Sequence, residues 1–209
     1  MNFGTAVKVT LTDYERAQIL PHCESAMIGG SSYIFTSKQK RLEELPENQL
    51  VGLTSEAAFF KWAEPLGSGG IERWLQQRSR MNLDKFNGDA GFDCELASGI
   101  KIDVKSSEPK GECGEFSVLN YHLTQDRKYT VPHVAYVQCF AKTQPDECQV
   151  PKEVLIVGWL WGHELSGRED SKKLMCGGLE GWSVLCSSTK DIEELWNVSG
   201  SGMKLSNEA

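Results

Sequence analysis

No apolar run in this chain approaches the length of a membrane span; the longest lie around VAYVQCFA and VLIVGWLWG. The opening MNFGTAVKVT lacks the apolar core and cleavage site of a secretory signal. The seven cysteines are odd in number, widely scattered and never spaced as CxxC. A zinc ribbon and a secreted disulfide framework are therefore not indicated, and reduced thiols in a cytoplasmic protein are expected. The four histidines are dispersed, with no metal-ligand spacing among them. No glycine-rich loop runs into Lys-Ser or Lys-Thr, so ATP-driven activity would need a partner. Positive charge is in short supply: 22 Lys and Arg stand against 29 Asp and Glu, for a net charge of −7. That balance argues against a nonspecific nucleic-acid binder, which needs a broad basic surface. It leaves room for an enzyme that grips phosphates locally and gathers carboxylates around metal ions.

What the chain does have is core material. With 40% hydrophobic residues in 209, it can bury a core without a metal or disulfide staple. VKVTLT predicts a short strand and DYERAQIL a helix start capped by Thr12 or Asp13. GGSSYIFTSKQKR reads as a loop or short strand ending in Lys38, Lys40 and Arg41. Pro46 suits the first turn of a helix running to Pro65, with Leu50, Leu53, Ala57, Phe60 and Ala63 on one face. IERWLQQRSRM forms a second helix carrying Arg73, Arg78 and Arg80. SVLNYHLTQDRKY is expected to be helical, residues 162–178 a loop, and DIEELWNV a short last helix. Residues 1–45 are expected to be an N-terminal extension, 46–197 the main domain and 198–209 a disordered tail.

The chemistry concentrates in GDAGFDCELASGIKIDVKSSE, residues 88–108. A three-residue turn, Ala97-Ser98-Gly99, with left-handed Gly99, would pair Leu96/Ile100, Glu95/Lys101, Cys94/Ile102, Asp93/Asp103 and Phe92/Val104. Apolar residues then share one face and charged residues the other. A two-residue Ser-Gly turn would oppose Asp93 to Val104 and Glu95 to Ile102, mixing the faces, so burial selects the first register. That register sets Asp93 and Asp103 opposite each other, with Cβ atoms about 5 Å apart. Two carboxylates so placed share a proton or bind a cation. Hard oxygen ligands suit Mg²⁺ or Mn²⁺. Lys105, two residues beyond Asp103 on the same face, completes equipment for metal-assisted phosphodiester hydrolysis. The bland alternative is a solvated, salt-bridged sheet face, which accounts for Glu95/Lys101 better than for Asp93/Asp103. Acid-x-Lys alone says little, since Glu108-Lys110, Asp126-Lys128 and Asp170-Lys172 repeat it. The hairpin context distinguishes Asp103-Lys105.

Asp93 followed by Asp103-Val104-Lys105 resembles the acid and acid-x-Lys of the PD-(D/E)xK nuclease superfamily, and the surrounding phrase is similar to phage and resolvase-like members. Glu56, within QLVGLTSEAAFF, matches the helix glutamate that supports the metal in that family; an exposed helix acid is the alternative. Gln125 and Tyr129 fall where one exonuclease-like branch carries Q-xxx-Y on a helix. The resemblance covers residues 49–141. The helices and the apolar runs VPHVAYVQCFA, EVLIVGWLWG and GWSVLCS give an α/β (α+β) chain with a central mixed β-sheet flanked by helices, and the resemblance implies that this is a restriction-endonuclease-like core. It further implies a Mg²⁺-dependent nuclease, with Mn²⁺ as substitute, acting on DNA, with RNA left open and endonuclease favoured over exonuclease. Asp93, Asp103 and Glu56 would hold metal and Lys105 would assist water. Arg78 and Arg80 are candidate phosphate contacts, and a homodimer is compatible with cutting both strands. The second reading is a nuclease-fold module that binds nucleic acid or a protein without cutting.

Overall fold

A computed structural model describes residues 6–28, 38–83, 92–108, 122–126, 130–143, 148–167, 172–176 and 179–199. Strand β1 (Val7–Thr10) leads into helix α1 (Asp13–Ile28). Thr12 caps α1: its Oγ1 accepts the Glu15 N–H at 3.2 Å, and Glu15 Oε2 accepts the Thr12 N–H at 2.7 Å. This reciprocal box satisfies two otherwise orphaned donors. Helix α2 (Lys38–Trp62) begins well before Pro46, so the proline lies within the helix and not in its first turn. Helix α3 (Gly70–Leu83) follows a short 3-10 turn at Glu64–Leu66.

Five strands form one mixed sheet in the order β1-β6-β5-β3-β2. These are β2 (Cys94–Glu95), β3 (Lys101–Ser107), β5 (Val134–Ala141), β6 (Glu153–Trp161) and β1. Only β3 and β5 run parallel. A second, three-stranded antiparallel sheet has the order β4-β8-β7, from β4 (His122–Asp126), β7 (Lys172–Cys176) and β8 (Leu179–Leu185). Helices α4 (Gly162–Gly167) and α5 (Glu194–Val198) and a 3-10 turn at Cys186–Ser188 complete the described elements. Two expectations are thereby corrected. The segment around Gln125 is a strand, its backbone paired along β8, and the 162–178 interval holds α4 and β7 in place of a loop. Pairing with β8 makes strands of β4 and β7, which no local pattern announced.

The two faces of the large sheet are covered differently. Leu50, Val51, Leu53 and Ala57 of α2 pack with Ile102 and Val104 of β3 and Val137 and Cys139 of β5. On the other face, Leu123 and Val184 of the small sheet pack with Tyr136, Leu160 and Leu165. Strand β5 is therefore buried along its whole length, which is why VAYVQCFA reads as an unbroken apolar run and not an alternating one.

Helix α2 is held against β3 near both ends of the strand. A Cβ added to Gly52 would lie 3.7 Å from Ser106 Oγ, so the helix passes close by there. After the helix, Leu66 O accepts the Ala97 N–H at 3.1 Å, tying the helix end to the hairpin turn. Gly67, at φ 84°, sits so near Ala97 that a Cβ would come within 2.4 Å of the Ala97 Cβ. No side chain fits that approach, and the positive φ also favours glycine. Glu56, one turn beyond Gly52, is thereby carried alongside the middle of β3.

Candidate active site

The hairpin forms in the expected register where it is regular. Cys94 pairs with Ile102 and Glu95 with Lys101, and Gly99 takes a left-handed φ of 83°. At Asp93 the ladder departs from that register: the Asp93 N–H donates to Ile102 O at 2.8 Å, and β2 ends. The Val104 N–H faces the same strand edge two residues on. It donates not to a backbone carbonyl but to Asp93 Oδ2, at 2.7 Å. The Asp93 carboxylate thus caps the edge that β2 abandons. The expected Phe92/Val104 pair does not share a face. Phe92 packs with Tyr136 and Leu160, whereas Val104 packs with the helices. Lys101 Nζ lies 4.7 Å from the Phe92 ring centroid, which draws that ring to the charged face.

Asp103 and Lys105 share the face of Tyr136. Asp103 is the parallel-ladder partner of Tyr136 and Lys105 that of the buried Gln138. Lys105 Nζ lies 2.8 Å from Asp103 Oδ1 and 5.7 Å from the Tyr136 ring centroid. Burial alone would lower the Lys105 pKa, but Asp103, Asp93 and Tyr136 together outweigh it and the net shift is upward. Lys105 is therefore a firmly charged ammonium.

Glu56 approaches from the opposite, helical side. Its Oε2 accepts Trp74 Nε1–H at 3.2 Å and pairs with Arg78 Nη2. Asp93, at the strand edge, lies between the two sets. Burial first, then the negative charges of Glu56 and Asp103, push its carboxyl well above the usual aspartate range, against the opposing Val104 hydrogen bond and Lys105. Three of the four residues expected from the sequence thus converge on Asp93 electrostatically. The carboxylates come from both faces of β3, and among the described residues no group of three or more His, Cys, Asp or Glu is gathered at metal-ligand spacing. Asp93 and Asp103 nonetheless fit a divalent cation in chemistry: both offer hard oxygens, and a cation would offset the repulsion and the desolvation that raise the Asp93 pKa. Glu56 fits only when it leaves Arg78.

Of the other candidates, Arg80 is exposed on the last turn of α3. Gln125 lies on β4 with Trp182 as its ladder partner, so the helical placement of Q-xxx-Y does not hold; Tyr129 lies outside the described residues. The basic group at Lys38, Lys40 and Arg41 starts α2. Trp74 and the role of Arg78 toward Glu56 escaped the sequence reading. Their four-residue spacing puts both on one face of α3, a signal that names the face but not its partner. His22 also packs there, edge-on to the Trp74 ring at 5.6 Å, and burial followed by Arg78 lowers its pKa. Burial pushes the neighbouring Cys23 thiol up to about 12, and Cys94 likewise to about 12, so both behave as core side chains and not as thiolate nucleophiles.

No protein-family profile, curated protein or solved structure matches the chain. Among the described residues no helix is long and apolar enough to cross a membrane.

Proposed function

We propose that the protein is a metal-dependent nuclease hydrolysing phosphodiester bonds, DNA being the favoured substrate and endonucleolytic cleavage the favoured mode. The observation that supports this best is the half-buried Asp93 carboxyl, its pKa raised by burial and by the charges of Glu56 and Asp103, with the Lys105 ammonium 2.8 Å from Asp103. A folded protein gains nothing structural from crowding negative charge onto the Asp93 carboxyl, whereas a cation site requires such crowding. Asp93 and Asp103 would hold Mg²⁺ or Mn²⁺, which when bound polarises a phosphate and acidifies water. Lys105 supplies fixed positive charge toward the phosphate and orients the nucleophile through its ammonium hydrogens. The Tyr136 ring beside it limits where that ammonium can point.

A second reading keeps the fold and drops the reaction: a module that binds nucleic acid or protein. One observation favours it. Each acid already has an internal partner, Lys105 for Asp103, Arg78 for Glu56 and the Val104 N–H for Asp93. The two readings separate in a cleavage assay on supercoiled, linear, single-stranded and branched DNA, with RNA alongside, in Mg²⁺ and in chelator. Magnesium-dependent cutting of any substrate supports the nuclease. Binding without cutting on all of them supports the module.

A further inference from the structure

Glu56 is contested. Trp74 and Arg78, one helical turn apart on α3, both bind its Oε2, so α3 clamps α2 at this carboxylate. The clamp is sheltered, with the Arg78 and Glu56 side chains 22% and 14% exposed. The Arg78 guanidinium carbon also sits 5.9 Å from the Trp74 ring centroid, which holds the fork in place. Glu56 lies one turn beyond Gly52, where α2 passes close to Ser106 of β3, the strand that carries Asp103, so it stands near the proposed cation pair while committed to a different partner. A carboxylate oxygen accepting hydrogen bonds from a guanidinium and an indole is a poor metal ligand, and a metal ligand is a poor acceptor for both.

We propose that Arg78 is a latch that withholds Glu56 from the cation site, so that a divalent cation at Asp93 and Asp103 competes with Arg78 for the same carboxylate. The proposal rests on the reading of Asp93 and Asp103 as the cation pair. Arg78 is accordingly a positioning residue, acting on the site only through Glu56. Its consequence is a metal affinity in the free protein set by the strength of the Arg78–Glu56 pair.

The test is calorimetric titration of Mg²⁺ into wild type, Arg78→Gln, Arg78→Lys, Glu56→Gln, the Arg78→Gln/Glu56→Gln double variant and Asp103→Asn, with melts in chelator to confirm folding. Arg78→Gln should bind Mg²⁺ about tenfold more tightly, the scale of one lost charge-assisted hydrogen bond. Arg78→Lys, which keeps the charge but loses the planar fork, should tighten binding less. In the Glu56→Gln background, Arg78→Gln should change nothing. A gain that persists undiminished without Glu56 is general electrostatics and overturns the latch. Equal affinity in wild type and both Arg78 variants, with binding lost in Asp103→Asn, overturns the latch but leaves the cation pair standing. An absence of Mg²⁺ binding in every protein overturns both.

Discussion

Lys105 Nζ and Asp103 Oδ1 lie 2.8 Å apart on one face of β3, while Asp93 meets the same strand through its Val104 N–H. The two aspartates therefore carry unequal electrostatic loads. Asp103 has a cation of its own, and Asp93 has a backbone donor and two neighbouring negative charges.

This inequality predicts opposite effects for two substitutions that look alike. Asp93→Asn keeps an oxygen to accept from Val104 and removes the repulsion, so the metal-free protein should gain about 0.5–1 kcal/mol. Asp103→Asn leaves a partly buried ammonium without its partner and should lose about 1 kcal/mol, the modest figure reflecting the partial exposure of both groups. Denaturant melts in chelator measure both. Equal changes of the same sign would contradict the assignment.

The pH dependence follows from the same group. The folded protein holds the Asp93 proton above the pH at which the unfolded chain has released it, at about 4. The folded state then binds more protons, so this contribution to stability is fully present below that pH and is lost as pH rises through the elevated folded-state value. Metal-free wild type should lose stability relative to Asp93→Asn over that range. Because a cation must displace the proton, Mg²⁺ affinity should rise with pH over the same range. Parallel stability profiles for the two proteins in chelator would argue against a shifted Asp93.

Two glycines separate close approach from mere helix composition. A Cβ at Gly158 would lie 2.1 Å from Thr189 Oγ1 and 2.7 Å from Lys190 O, so Gly158→Ala should cost about 2 kcal/mol or more. At Gly52 the nearest atom is 3.7 Å away, an ordinary contact, and Gly52→Ala should be neutral or stabilise by up to about 1 kcal/mol through helix propensity. Thermal melts of both variants check the close approach of the 189–190 segment to β6 and the looser packing of α2 on β3.

The hairpin was legible because alternation and a left-handed glycine leave one register that buries Cys94, Ile102 and Val104 together. The coarse architecture, helices flanking a mixed sheet, followed from the order of apolar runs. What stayed hidden depended on distant partners. His122–Asp126 is a strand because β8 lies beside it, far along the chain, and no local pattern announces that. The break in the ladder at Asp93 was equally invisible, since it comes from a side-chain oxygen replacing a backbone acceptor. The sequence pointed to Glu56 as a candidate but held no sign that Arg78 and Trp74 would claim it.

Lys105 carries the catalytic part of the account. Lys105→Ala should retain Mg²⁺ binding, because the aspartate oxygens remain, while turnover falls by about 10²-fold or more. Unchanged turnover would remove the role given to the ammonium.

The central claim is most directly tested by cleavage of supercoiled DNA by wild type and Asp103→Asn, each in millimolar Mg²⁺, in Mn²⁺ and in excess chelator. The account predicts nicking or linearisation by wild type with either metal, none in chelator, and none by Asp103→Asn under any condition. Undiminished cleavage by wild type in chelator, or by Asp103→Asn in Mg²⁺, would contradict it.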